Sequence, residues 1–172
     1  EGAIVNGELN RDALHAVLAK RRPERIRYIA QAIRLGMIDE EINRACGFDV
    51  WFIQQIRGIV EEERSISENG LPEDKFGMLR LKKKGFSDER LAELTSGSAT
   101  EVAHQRRKLD VRPVFKRVDT CAAEFSSQAS FLYSSYEGDG IRLPEDESRP
   151  TKRKKVVILG GGPNRIGQGI EF

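Results

Sequence analysis

The sequence predicts a mainly α fold: an irregular bundle of short helices with two helix-turn-helix-like units, followed by an extended arm and a truncated β-strand with a glycine-rich loop. Three observations predict it. From residue 10 to about 108, apolar side chains recur at helical spacing between capping residues and glycines. Part of that region repeats without gaps. After Leu109 the helical spacing stops, Pro113 enters, and β-branched and aromatic residues take over.

The elements follow in order. Asn10 can cap NRDALHAVLAKRR, whose Leu14, Val17 and Leu18 form one stripe. Pro23 suits the first turn of PERIRYIAQAIRLG, with Ile26, Ile29, Ala30 and Ile33 on one face. Gly36 supplies a left-handed stop. IDEEINRACG is a short helix closed by Gly47, and Asp49 can cap VWFIQQIRGIVEEE, which carries Trp51, Phe52, Ile53, Ile56 and Ile59. Trp51 is expected in the core, because it lies in this apolar stripe. Pro72 opens PEDKFGMLRLKKKG and Gly85 closes it. Ser87 can cap DERLAELT, and ATEVAHQRRKL is the last helix. Phe115–Thr120 and the stretch 131–137 read as extended. Residues 137–155, rich in charge, glycine and proline, read as a linker.

The repeat sets LGMIDEEINRACG (35–47) over KGFSDERLAELTS (84–96). Gly36 pairs with Gly85, Asp39 with Asp88, Glu40 with Glu89 and Ile42 with Leu91. In each copy a glycine stop precedes an apolar residue, an acidic first turn and a short helix, and a further helix follows. Crossing pairs let such helices bury stripes that each would leave wet alone.

Composition excludes several classes. The 172 residues are 38% hydrophobic and 33% charged, with a formal net charge of only +2. Phosphate neutralisation drives generic nucleic-acid binding, and this balance lacks the basic excess for it. No run approaches the roughly 18 apolar residues that span a bilayer. The start, EGAIVNGELN, has no signal-peptide pattern and no Met, which leads us to expect an internal piece of something longer. Cys46 and Cys121 lack CxxC or His spacing, so reduced, mostly buried thiols of a cytoplasmic protein are expected.

Candidate sites are few. The tail VVILGGGPNRIGQGIEF joins a four-residue apolar run to Gly160, Gly161 and Gly162, the way many nucleotide-binding units begin. It is not a P-loop, and Arg165 stands where a dinucleotide fingerprint needs its third glycine. Such a unit takes about 30 residues, and ten follow Gly162. DNA binding needs a basic recognition helix. VWFIQQIRGIVEEE looks like a core helix, and Arg106, Arg107 and Lys108 of ATEVAHQRRKL also suit a helix C-terminus. His15 and His104 read as solvated and without partners at telling spacing. Glu61–Glu63, Asp146 and Glu147 read as solvated faces or linker. No catalytic constellation assembles.

FKRVDTCAAEF (115–125), followed after a variable linker by VVILGGGPNRIGQGIEF, closely resembles the junction between the two synthetase halves of the carbamoyl phosphate synthetase large subunit. LGMIDEEINRACGFDVWFIQQI and KKGFSDERLAEL resemble its middle helical region, the oligomerisation domain. The resemblance implies residues 8–110 as that domain, 111–155 as extended arm and linker, and 156–172 as the truncated start of the second, ATP-grasp half. It implies an intact enzyme that makes carbamoyl phosphate from bicarbonate, glutamine-derived ammonia and two ATP with Mg²⁺ (or Mn²⁺), together with a glutaminase small subunit. This segment is expected to be a non-catalytic spacer that self-associates, with no cofactor of its own, no nucleic acid and no membrane partner. Glu171 matches a position lining the carbamate tunnel, with Arg165, Ile166, Gly167 and Gly169 as wall or turn. SGSATEVA (96–103) has small residues where the family pattern is bulkier, so the second helix pair is expected to pack less well. The alternatives are a helix-turn-helix DNA-binding protein and a free-standing nucleotide-binding module.

Overall fold

A computed structural model describes residues 4–5, 8–9, 11–126 and 130–159. The chain divides into two compact units. The first runs to Val114 and also takes in Ser134–Pro144; the second holds Phe115–Tyr133 and the chain from Glu145 onward.

The first unit opens with an antiparallel pair, β1 (Ile4–Val5) and β2 (Glu8–Leu9), with Ile4 opposite Leu9 and Val5 opposite Glu8. The intervening sequence is Asn6-Gly7, a strong short-range hairpin signal that the helical reading passed over. Seven helices follow: α1 (Arg11–Ala19), α2 (Arg25–Arg34), α3 (Asp39–Cys46), α4 (Val50–Asn69), α5 (Lys75–Lys83), α6 (Asp88–Thr95) and α7 (Ala99–Lys108). The mainly helical expectation holds. Asn10, the expected first cap, lies outside the described residues.

The repeat is larger than the 13 residues legible in the sequence. A shift of 49 residues, the separation of Asp39 and Asp88, carries α2, α3 and the start of α4 onto α5, α6 and the start of α7. The same shift carries α1 onto residues 60–68, the second half of α4. Helix α4 therefore belongs to both repeats. Its first half is the last helix of repeat one; its second half is the first helix of repeat two. This is why it runs six residues beyond the expected stop at Glu63.

The cores obey the same division. Leu14, Leu18, Ile29, Ile33, Met37, Ile42, Ile53 and Val60 form one cluster; Ile66, Met78, Leu81, Phe86, Leu91, Val102 and Val111 form the other. Equivalent positions pair off: Ile29 with Met78, Met37 with Phe86, Ile42 with Leu91, Ile53 with Val102.

The turns also match. Met37 N–H reaches back to the Ala32 carbonyl at 3.0 Å, and Phe86 N–H to Leu81 at 3.3 Å. Between them sit Gly36 (φ 83°) and Gly85 (φ 92°), a left-handed conformation that a side chain would strain. Asp49 caps α4 by accepting from Trp51 N–H at 2.8 Å, and Ser87 caps α6 by accepting from Arg90 N–H at 3.0 Å, both as expected.

Several expectations about the helices need correction. Pro23 and Pro72 precede their helices rather than open them: α2 begins at Arg25, and α5 begins after Asp74, whose carboxylate accepts from Gly77 N–H at 2.9 Å. Ile26 is exposed, because Ile29, Ala32 and Ile33 are what α2 turns inward. Trp51 is not a core residue: it is 58% exposed, Phe52 is 55% and Ile59 is 44%, while Ile53 and Val60 face the interior. The small residues of SGSATEVA do not loosen the second pair. Ser96 takes the left-handed turn, Ser98 and Glu101 form a reciprocal capping box, and Leu91, Ala92 and Val102 are buried. Finally, Glu61–Glu63 is not a uniformly solvated run, since Glu62 is buried.

Ser134–Pro144 packs with the helices of the first unit. Tyr136 joins the second core, Lys83 donates to the Gly138 carbonyl at 3.0 Å, and a Cβ at Gly140 would collide with the Phe76 ring at 2.8 Å.

Two further strands, β3 (Val114–Arg117) and β4 (Leu132–Ser135), pair with each other; β3 begins one residue before the stretch 115–120 expected to be extended, and β4 lies within 131–137. Glu147 is not a free linker acid. Its N–H donates to the Phe115 carbonyl at 2.9 Å, and its carboxylate accepts from Arg117 N–H at 2.6 Å and Lys116 Nζ at 3.3 Å. Val156–Leu159 forms no strand and is exposed.

Candidate functional site

Each repeat carries the same clasp. In repeat one, Arg57 on α4 donates to Asp39 on α3 through Nη2 at 2.6 Å and to the Met37 carbonyl at 2.9 Å. In repeat two, its equivalent Arg106 holds Asp88 on α6 with Nε at 3.1 Å and Nη2 at 2.9 Å, and the Val111 carbonyl at 3.0 Å. The second clasp is more elaborate. Lys82, in the place of Ile33, also donates to Asp88 at 2.8 Å and to the Phe86 carbonyl at 2.6 Å. Tyr136 covers both cations, its ring 5.3 Å from Lys82 Nζ and 5.9 Å from the Arg106 guanidinium. Burial pushes the Asp88 carboxyl up, but hydrogen bonds from Arg106 and Lys82 outweigh it and hold the group below the usual range. Burial pushes the Tyr136 phenol up.

The shared helix carries a second set of ties. Glu62 accepts from Arg80 at 2.8 Å and from Lys84, joining α4 to α5. Glu63 accepts from Arg34 at 2.6 Å and Arg90 at 2.7 Å, joining α2, α4 and α6 across the two repeats. Burial raises the Glu63 carboxyl, yet those two guanidiniums bring it below its ordinary value. Glu41 on α3 accepts from Arg11 at 3.2 Å and meets His15 Nε2 at 3.1 Å. His15 is thus not without a partner; the carboxylate comes from 26 residues away. His104 is exposed.

Where the repeats meet, a cleft of about 400 Å³ has an apolar floor of Ile33, Val60 and Leu94 beneath Arg34, Arg57 and Arg90. Those three guanidiniums are already committed to Glu63 and Asp39, while Arg64 also lines the cleft. Cys46 is buried and Cys121 half-buried, both unbridged. Among the described residues, no group of three or more His, Cys, Asp or Glu side chains could hold a metal ion. Glu171, Arg165, Ile166, Gly167 and Gly169 lie outside the described residues. No described helix is long and apolar enough to cross a membrane.

The family model described as the oligomerisation domain of the carbamoyl-phosphate synthetase large chain matches residues 2–110. The chain belongs to this family. Carbamoyl phosphate synthase large chains are similar to it across both of its units. That of Rhizobium meliloti (strain 1021) is 53% identical over 167 residues, 97% of this chain and 14% of the relative. That of Neisseria meningitidis serogroup B is 53% identical over 156 residues, 90% of this chain and 14% of the relative. That of Pseudomonas putida is 51% identical over 150 residues, 87% and 13% respectively. The chain thus spans about 14% of the length of the curated relatives it matches. The oligomerisation domain is the helical pair of repeats, and the clasps and ties described above are its internal frame. Sequence reasoning missed that frame because Asp39 to Arg57 and Glu63 to Arg34 are distant pairs; only the first recurs under the 49-residue shift, as Asp88 to Arg106.

Proposed function

We propose that this chain is the non-catalytic spacer of a carbamoyl phosphate synthetase large chain. It holds two catalytic halves in register and provides a surface for self-association. The longer protein makes carbamoyl phosphate from bicarbonate, glutamine-derived ammonia and two ATP. Residues 156–172 begin its second half, with Glu171 on the carbamate path, and a glutaminase subunit supplies ammonia. One observation carries the spacer reading: the carboxylates are spent on structure. Asp39, Glu41, Glu62, Glu63 and Asp88 each bridge one helix to another through a guanidinium or ammonium group. Acids engaged in this way stiffen a frame and are not presented to a substrate.

The same geometry weighs against DNA recognition. Arg57 and Arg106, the basic residues at matching places on the candidate reading helices, turn inward to Asp39 and Asp88. The test is bicarbonate-dependent ATP turnover by the purified 172-residue chain. No turnover is expected, and carbamoyl phosphate formed by this chain alone would overturn the reading.

A further inference from the structure

We infer that the cleft where the two repeats meet binds a free aromatic α-amino acid, with its ring on the apolar floor and its ammonium and carboxylate groups on Glu61 and Arg64. This goes beyond the spacer reading and does not depend on it. Every residue lining the cleft belongs to the first unit.

The internal repeat shows what this place accepts. Three residues of the cleft, Ile33, Arg34 and Arg57, correspond under the 49-residue shift to Lys82, Lys83 and Arg106. In repeat two the chain covers those positions with its own segment, Ser134–Pro144. Lys83 donates to the Gly138 carbonyl, and the Tyr136 ring lies 5.3 Å from Lys82 Nζ and 5.9 Å from the Arg106 guanidinium. Val60 of the cleft corresponds to Leu109, which packs on the same core cluster as Tyr136. In repeat one no aromatic ring lines the equivalent place, which is a recess of about 400 Å³. That volume lies within the range of small-molecule sites, and guanidiniums above an apolar floor suit a planar ring.

The uncommitted charges select the rest of the ligand. Glu61 and Arg64 line the cleft, are exposed, and have no hydrogen-bond or ion-pair partner among the described residues. They are three apart on α4 and so neighbours on one face. A free carboxylate beside a free guanidinium complements a zwitterion. The Arg64 fork can take a carboxylate through two hydrogen bonds, and Glu61 can accept from an ammonium group. A simple anion would face Glu61, and a simple cation would face Arg64. The pair is particular to repeat one. Its counterparts are Asp110, which lies 3.6 Å from Lys75 and 3.7 Å from Arg112, and Pro113.

The rim favours a small ligand over a protein surface. Ile33 and Val60 are 6% and 8% exposed, so the floor is reached only past the charged side chains around it. A second copy, or another part of a longer protein, would strip water from Arg34, Glu61, Arg64 and Arg90 to gain little apolar area, at the cost of every charge left imperfectly paired. A free amino acid brings the two matching charges and a ring small enough to pass between them. Ile33 is on α2 and Leu94 on α6, so the seated ring touches both repeats and braces their junction.

Calorimetric titration of the 172-residue chain with L-phenylalanine tests this, against L-alanine, 3-phenylpropionate and phenethylamine, which lack the ring, the ammonium and the carboxylate in turn. Phenylalanine should bind with a Kd on the order of 0.1 mM, and each of the other three at least about tenfold more weakly. The melting temperature should rise with phenylalanine concentration. Arg64→Gln should weaken phenylalanine at least about tenfold and leave phenethylamine unchanged; Glu61→Gln should weaken phenylalanine and leave 3-phenylpropionate no weaker. Both positions are exposed and untied, so both variants should keep the wild-type helical circular dichroism. No binding of phenylalanine up to about 20 mM, or binding untouched by either variant, would overturn the inference and leave the spacer reading intact. Should a variant fail to fold, the ranking of the four ligands on the wild-type chain decides, and equal binding of all four would overturn it. In the longer large chain of the spacer reading phenylalanine should bind equally well; loss of binding there would show that the rest of that protein fills the cleft, and would overturn the inference too.

Discussion

Replacing Asp88 by alanine removes the acceptor shared by two nearly buried cations. The side chains of Lys82, Arg106 and Asp88 are 6%, 12% and 16% exposed. Breaking a buried pair by deleting one partner costs about 3–5 kcal/mol, because the remaining charge is left unpaired. Here two charges are left, but each retains something: Lys82 keeps the Phe86 carbonyl, Arg106 keeps the Val111 carbonyl, and both keep the Tyr136 ring. The expected loss is therefore near the lower end, about 3 kcal/mol. The matching change in repeat one, Asp39→Ala, strands only Arg57, whose side chain is 27% exposed and which keeps the Met37 carbonyl. That should cost about 1–2 kcal/mol. Urea unfolding followed by circular dichroism at neutral pH measures both. The Asp88 carboxyl is depressed in the folded chain, so its contribution is complete above the unfolded value near pH 4 and is lost as pH falls below it. The gap between wild type and Asp88→Ala should accordingly narrow on acidification from about pH 5 to about pH 3. The reasoning is refuted if Asp39→Ala costs as much as Asp88→Ala, or if the gap is unchanged by acid.

Three further outcomes are expected. Gly77→Ala should destabilise by about 1–3 kcal/mol in a thermal melt, since the added Cβ would sit 2.5 Å from Pro72 Cβ; Gly58→Ala, in open space within α4, should stabilise by about 0.5–1 kcal/mol. Ser98→Ala should cost about 1 kcal/mol through loss of the α7 capping box, read by urea unfolding. The Glu63 carboxyl is held low by Arg34 and Arg90 against its burial, so its share of stability is present above about pH 4.3 and lost below it; Glu63→Gln should flatten that part of the acid unfolding profile.

Local chemistry was readable in the sequence. Gly36, Gly85, Asp49 and Ser87 announce their turns and caps because each acts on its own backbone within a few residues. The repeat was visible where both copies use the same residue types and invisible where they do not. Leu14 and Leu18 of α1 correspond to Glu63 and Ser67 of α4, so no apolar pattern marks α1 and the end of α4 as equivalent. The length of α4 was missed for the same reason, since its second half swaps an apolar stripe for ion pairs. Trp51 was misplaced because Trp51, Phe52 and Ile53 are adjacent, and periodicity alone does not say which of three neighbouring apolar residues faces inward. His15 with Glu41, and Glu62 with Arg80 and Lys84, depend on tertiary approach and leave no trace in spacing.

The central claim is that this chain serves assembly through a doubled helical frame. Sedimentation equilibrium across a wide concentration series tests it most directly. The account predicts an average mass that climbs from the 19.4 kDa of one chain toward twice that value, reversibly on dilution. A mass fixed at one chain at every concentration would contradict it.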